Sequence, residues 1–416
     1  MEVDSTQAET SAKGEQVEHA DLVIAMLSEF DAEGIVQLSD RLRELPGPMR
    51  VLVGVKDVGA AAPELITKNS EAASRVAFVA WPTLGLDLTG PPLPTISAGY
   101  QSIFTTSLRL EARACCIVAS KLENATPEWI AGFLEPLLDG EFDLVTPSYA
   151  HHKLEGLLNS SIVSPLTRSL YGRRVSNPMG PDLGVSQRLF QKILGNLGGG
   201  PNQRRNHPLA SLAPVAACEK FKVCQVHLGA RTHPPTDWTN ISSLLVDVLG
   251  PVFLDMERNA ACWQRVRGSN PVATFGEQSL GSDQVGAVDV ERLVNSFQLG
   301  ARDLQEIWSL VLPPASLLEL RKLARLTADR FQMSDQLWVR VIYDFALAHR
   351  LRTLNRDHLL RSMTPIYLGW VASHARAIAN VDGEAANDRL EHLSVTYELE
   401  KSYLVSRWRW PDRFHP

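Results

Sequence analysis

The chain has 416 residues, too many for a single small module and enough for two or three domains at roughly 150 residues each. Hydrophobic residues make up 44% and charged residues 21%, which allows a substantial core and argues against wholesale disorder. The formal net charge of -6 excludes a basic footprint for nucleic acid or an anionic membrane over the chain as a whole. Residues 1–20 are polar and acidic without an apolar stretch, and read as a disordered tail. No apolar run reaches the roughly 18 residues of a membrane span. From Asp21, short apolar runs alternate with helical patterns, the signature of βα units and a mostly parallel sheet. The runs Leu22 to Leu27, Val51 to Val55, Val76 to Ala80 and Cys115 to Ala119 are apolar along their length, as strands covered on both faces must be.

Helices are predicted between these strands, at Glu33 to Leu45 and Ile103 to Ala112. After the fourth strand, Thr126 as cap, Pro127 at the first helical position and Glu128 in the first turn open a helix through Leu138. The stretch Gly195 to Pro208 is rich in glycine, asparagine, arginine and proline and reads as a loop. Apolar periodicity lapses again near Gly268 to Gly286, and beyond it the chain is helical to near its end. Leu337, Trp338, Val341, Ile342 and Phe345 form one apolar face behind the cap Ser334. Leu390, Leu393, Tyr397 and Leu404 repeat that face, with Pro365 interrupting the helix between the two sets. Trp408 and Trp410 belong to a tail packed on these helices.

The five cysteines, Cys115, Cys116, Cys218, Cys224 and Cys262, are odd in number and contain no C-x-x-C pair. They read as reduced thiols of a cytoplasmic protein without a disulfide framework or a structural zinc site.

Several segments together resemble the family-2-like nucleotide-sugar glycosyltransferases of the GT-A fold, in the group of the mannosylglycerate and glucosylglycerate synthases. They are Ala112-Arg113-Ala114-Cys115-Cys116-Ile117-Val118, Thr126-Pro127-Glu128-Trp129-Ile130 and Phe142-Asp143-Leu144-Val145-Thr146-Pro147. Pro165 to Gly172, Asn177-Pro178-Met179-Gly180, Phe221 to Gln225 with Leu228-Gly229-Ala230, and the tail Glu400 to Leu404 with Arg407-Trp408 complete the set. The resemblance implies an α/β, GT-A-like (Rossmann-like), mostly parallel sheet domain over residues 21–265. A linker at 266–286 and a C-terminal helical domain at 287–410 follow.

Such a transferase holds a nucleotide diphosphate and neutralises the charge that builds on it as the glycosidic bond breaks. The usual device is a divalent cation on an Asp-x-Asp motif just after a strand. Here that place reads Ala119-Ser120-Lys121, so both carboxylates are missing and a cation replaces one. Relatives carry a Gly-Lys-Gly segment where this chain has Thr95-Ile96-Ser97, and an acidic acceptor-side residue where it has His207-Pro208-Leu209. No Asp or Glu occurs between Leu183 and Ala217, so that second absence is independent of register.

The candidate nucleotide-sugar contacts are Asp57 at the end of the second strand, Ser120, Lys121, Asp182, Arg204 and Arg205. His233 matches a histidine that supplies a metal contact in the mannosylglycerate synthase group, although its partner carboxylates are absent. No cofactor is expected, and a divalent cation lacks its ligands. The resulting expectation is a glycosyltransferase-like protein that lacks metal-dependent transfer and binds a ligand or partner. Its partners on this reading are a nucleotide or nucleotide sugar, a second copy of itself or an active glycosyltransferase paralogue, with no nucleic acid and no membrane span. The alternative is an active metal-independent glycosyltransferase.

Overall fold

The computed structural model describes residues 19–27, 37–38, 40, 42–43, 49–55, 75–80, 94–119, 127–150, 152–197, 207–230, 240–277 and 288–411. Ten strands are described: β1 (Leu22–Met26), β2 (Val51–Val55), β3 (Val76–Ala80), β4 (Ala114–Val118), β5 (Leu144–Ala150), β6 (Arg173–Arg174), β7 (Leu183–Ser186), β8 (Val223–Ala230), β9 (Asn270–Pro271) and β10 (Ala273–Phe275). Eight form one sheet in the order β10-β8-β5-β7-β4-β1-β2-β3, and β6 pairs with β9 separately. Within the large sheet every pairing is parallel except those of β7, which runs antiparallel to both β4 and β5. This is the GT-A-like α/β arrangement that the sequence implies.

Successive strand residues face opposite sides, and the sheet is covered on both. Leu22, Ile24, Met26, Cys116 and Val118 pack under α2 (Pro127–Leu138), which contributes Trp129, Ile130, Phe133 and Leu137. Val23, Ala25, Cys115 and Ile117 face α1 (Pro94–Arg109) and two later helices. Those are α4 (Gln187–Leu197), with Leu189, Phe190 and Ile193, and α5 (Pro208–Cys218), with Leu209, Leu212 and Ala216. Each such side chain taken from water contributes about 1.5–3 kcal/mol, which is why these strands are apolar throughout. The predicted helix over Leu45 and its neighbours falls partly outside the described residues, but Leu38 and Leu42 are helical and buried. Residues 1–18 of the predicted tail also lie outside, while the Ala20 amide donates to Leu110 O.

A third core is helical. It gathers a π-helical turn (Asn159–Val163), α3 (Ser164–Tyr171), α6 (Ile241–Arg258) and α7 (Ala260–Trp263). With them pack α8 (Val290–Asp303), α9 (Gln305–Ser309), α10 (Pro314–Leu323), α11 (Asp335–Leu351), α12 (Arg356–Ser362), α13 (Thr364–Ala377), α14 (Gly383–Leu399) and α15 (Lys401–Arg409). The Ser334 hydroxyl accepts from Leu337 N as the cap of α11, whose predicted face is buried. Pro365 lies in the first turn of α13, where a missing amide costs nothing. Trp408 packs edge-on against Trp263 at 5.3 Å, whereas Trp410 remains exposed.

Two features of the described structure bear on the expected domain bounds. The stretch 266–286, read as a linker, contributes β9 and β10, the latter extending the large sheet; strands of two or three residues are too short to show a period. The helical core also draws α3 and α6 from the region assigned to the sheet domain, so packing crosses the sequence boundary at 265.

Polar ties join the two parts. Arg168 on α3 reaches Glu391 at 2.6 Å and Glu398 at 3.2 Å on α14. Lys401 Nζ donates to the carbonyls of Ser169 and Val266 at 2.7 and 2.9 Å. Burial holds that ammonium down to about 8. Gly172 ends α3 with φ 69°, and a Cβ there would lie 2.8 Å from Gly268 O, so only glycine fits.

Cys218 and Cys262 form a disulfide with Cα atoms 5.8 Å apart, while Cys115, Cys116 and Cys224 are free and buried. This overturns the reading of five reduced thiols, and with it the argument for a reducing compartment. Local spacing reveals short-range frameworks and metal sites, but this pair meets only because the end of α5 packs against α7. Among the described residues no helix is long and apolar enough to cross a membrane.

The disulfide closes a sequence separation of 44 residues, for which chain entropy gives about 4 kcal/mol. Denatured, unreduced protein should show three titratable thiols with Ellman's reagent, and Cys262→Ser should lower unfolding stability by up to that amount.

Asp255 on α6 is buried and accepts from Tyr171 Oη and Asn259 Nδ2, both at 3.0 Å. Burial pushes its carboxyl from 3.8 up to about 6, against the pull of these donors. Between those values the unfolded chain ionises the group while the folded protein keeps its proton, so this residue's contribution to stability falls as pH rises. Denaturation of Asp255→Asn and the parent at pH 4 and pH 7 should show the variant gaining about 3 kcal/mol relative to the parent across that range.

Candidate functional site

In an open parallel sheet, ligands bind beyond the carboxyl ends of the strands where the strand order changes direction. Here that point lies between β1 and β4, since β2 and β3 extend to one side of β1 and β4 begins the other side. Leu27 N donates to Val118 O at 2.8 Å, which holds the two strand ends together. The next residue on the β4 side is Ala119.

Ala119 is tied down from below. Its amide donates to Asp182 Oδ1 at 2.7 Å, and the Tyr149 hydroxyl donates to Asp182 Oδ2. Asp182 has 0% of its surface exposed. It immediately precedes β7, the reversed strand, whose first residue Leu183 pairs with Ile117 next to the end of β4 and whose Gly184 pairs with Val145 on β5. One oxygen therefore reaches the end of β4 and the other reaches Tyr149 near the end of β5. The Tyr149 ring packs against Trp129 in the first turn of α2 at 5.9 Å.

The approach to Asp182 is shaped by Asn177-Pro178-Met179-Gly180. Asn177 Nδ2 donates to Pro147 O at 3.2 Å, and its Oδ1 accepts from Asn159 Nδ2 at 3.0 Å. A Cβ at Gly180 would overlap the Pro147 ring, so glycine lets this segment lie flat on β5. Tyr100 Oη on α1 donates to Pro181 O at 2.7 Å, fixing the segment from the other face of the sheet.

Of the sequence candidates, Asp57, Ser120, Lys121, Arg204, Arg205 and His233 lie outside the described residues. Asp182 is the one described candidate, and its two oxygens face protein donors. Thr95-Ile96-Ser97 forms the start of α1. His207 precedes α5, and burial lowers its imidazole to about 4, so it is neutral at ordinary pH. His152 Nδ1 accepts from Leu154 N at 3.2 Å in a local turn.

Among the described residues, this place brings one carboxylate, that of Asp182. Ala119 brings only a methyl group, and the Asp182 oxygens already accept from Ala119 N and Tyr149 Oη. Among the described residues no three His, Cys, Asp or Glu side chains are grouped to hold a metal.

Sequence reading missed Tyr149, Trp129 and Tyr100 as parts of the site. The available signal was a polar aromatic residue, Tyr149, near the carboxyl end of an otherwise buried parallel strand.

No protein-family model matches the chain, and no curated protein matches it. Among solved structures, it is similar to glucosyl-3-phosphoglycerate synthase from Mycobacterium tuberculosis in complex with phosphoglyceric acid. The identity is 16%, the overlap covers 57% of this chain and 80% of that one, and the TM-score is 0.36. The same enzyme with Mn2+, UDP-glucose and phosphoglyceric acid overlaps at 16% identity over 58% of this chain and 80% of that one, with a TM-score of 0.38. A further structure, of a mycobacterial protein, gives 16% identity, 58% and 75% coverage and a TM-score of 0.37.

Proposed function

We propose that the chain is a glycosyltransferase-like protein of GT-A fold that binds a nucleotide or nucleotide sugar beyond the ends of β1 and β4, lacks metal-dependent transfer, and acts as a ligand- or partner-binding homologue. The observation that carries this reading is the residue that follows β4. Where a divalent cation would need a carboxylate, the chain has Ala119, and its backbone is held by Asp182. The sequence continues with Ser120 and Lys121. A cation at this place repels Mg2+ or Mn2+ and attracts a phosphate.

The second reading is a metal-independent glycosyltransferase acting on a small hydroxylated acceptor. The cationic Lys121, Arg204 and Arg205 favour it, because fixed positive charge can stabilise a leaving diphosphate as a metal does. In that case the anomeric C–O bond to the diphosphate breaks as the acceptor oxygen bonds to that carbon, the cations offset the charge on the leaving diphosphate, and the acceptor's hydroxyl proton passes to a diphosphate oxygen. Turnover in the presence of EDTA separates the two readings.

Calorimetry against UDP, GDP and ADP should find one that binds equally well with Mn2+ and with EDTA. Failure of all three sinks the nucleotide reading, and a strict need for Mn2+ sinks the metal-free one. The charge argument has its own test. Introducing Ala119→Asp together with Lys121→Asp should create Mn2+ binding measurable by calorimetry, and absence of binding in the folded double variant would show that this is not the metal position.

A further inference from the structure

We infer that Asp182 and Tyr149 are a positioning pair that clamps both ends of the connection between β4 and α2, rather than contacts to a ligand. The inference rests on the nucleotide-binding reading for its consequence, but its geometry stands apart from it. The connection leaves the sheet at Ala119 and re-enters the described chain at Pro127, the first residue of α2. At the leaving end, the Ala119 amide donates to Asp182 Oδ1 at 2.7 Å. At the returning end, Trp129 in the first turn of α2 packs on the Tyr149 ring at 5.9 Å. The Tyr149 hydroxyl donates to the other oxygen of Asp182 and joins the two ends.

The side chains are in turn held by their own elements. Tyr149 stands on β5 where the register against β8 shifts, between Ser148 opposite His227 and Ala150 opposite Ala230. Asp182 is anchored by β7 behind it and by Tyr100 and Gly180 ahead of it. A carboxylate serves here because it accepts on both oxygens, one toward each end of the connection. Buried donors that lose their acceptor cost far more than a hydrogen bond at the surface, so the two ends, at Ala119 and Trp129, are held firmly by the buried pair.

Positioning and direct contact predict different outcomes for an isosteric change. In Asp182→Asn the amide oxygen can still accept from Ala119 N, and the amide NH2 can donate to Tyr149 once its hydroxyl turns to accept. Geometry then survives without the charge. In Asp182→Ala both Ala119 N and Tyr149 Oη lose this acceptor, and in Tyr149→Phe one link is lost.

The test uses the full chain and two readouts. Amide-resolved hydrogen exchange of Ala119 should be slow in the parent and in Asp182→Asn, and at least about tenfold faster in Asp182→Ala. Calorimetry with UDP, GDP and ADP in EDTA should show affinity for the binding diphosphate kept within about threefold in Asp182→Asn, and lost by about tenfold or more in Asp182→Ala. Tyr149→Phe should fall between them and serves if Asp182→Ala does not fold. Exchange in Asp182→Asn or Tyr149→Phe that matches a fully open Ala119, or affinity lost in Asp182→Asn while its exchange stays slow, would overturn the inference. The latter result would make Asp182 a charged ligand contact. If no diphosphate binds the parent, the nucleotide reading fails by itself, and hydrogen exchange still decides whether the pair clamps the connection.

Discussion

A carboxylate shut away from water has to find its donors inside the protein, and Asp182 finds them on the two strands that flank the reversed one. That single requirement organises the carboxyl edge of the sheet. Parallel strands end in open rows of backbone groups, and inserting β7 between β4 and β5 brings an acidic residue to their shared end. Gly180 is the condition for it, since any side chain there would push the preceding segment off Pro147. The resemblance segment Asn177-Pro178-Met179-Gly180 thus has a structural reading: it delivers Asp182 to a buried place between two strand ends.

The helical part is held by the same logic on a larger scale. Buried ions are tolerated only with partners, and the contacts between α3 and the C-terminal helices, and among those helices, are made of such pairs. Arg168 is almost fully buried and meets Glu391 and Glu398, while Lys401 spans the C-terminal carbonyls of α3 and the carbonyl of Val266. Arg407 lies 2.8 Å from the buried Asp344, which also accepts from the Tyr403 hydroxyl. Two of the segments that carry the family resemblance, Pro165 to Gly172 and Glu400 to Trp408, are therefore the two sides of one joint. Removing Asp344 would leave the buried Arg407 without its charge partner, a cost of about 3–5 kcal/mol.

The first four strands were legible because strands covered on both faces are apolar at every position, a signal that needs no partner to be seen. The start of α2 at Pro127 and the cap at Ser334 were legible because capping chemistry is local. What escaped was long-range. The strands β6, β7, β9 and β10 have two to four residues each and no period to read. The Cys218–Cys262 bond and the capture of α6 by the helical core depend on packing between elements distant in sequence. At the site, the residue Asp182 was legible while its engagement was not. A carboxylate between Pro181 and Leu183 looks the same on paper whether it meets a sugar or the amide of Ala119.

The clamp also bears on how a site can lose its metal and keep its shape. Where a cation is bound, the cation itself helps to hold the turn that carries its ligands, and removing it leaves that turn to be ordered at the expense of binding energy. At the end of β4 the protein supplies the ordering with its own donors and acceptor, so the position of Ala119 does not depend on an ion. A strand end held in this way is preorganised, because Ala119 on one side and Trp129 on the other are fixed before anything approaches. The geometry of the strand end at that point is set by Asp182 and Tyr149, through one acceptor that serves a backbone amide and a hydroxyl at once.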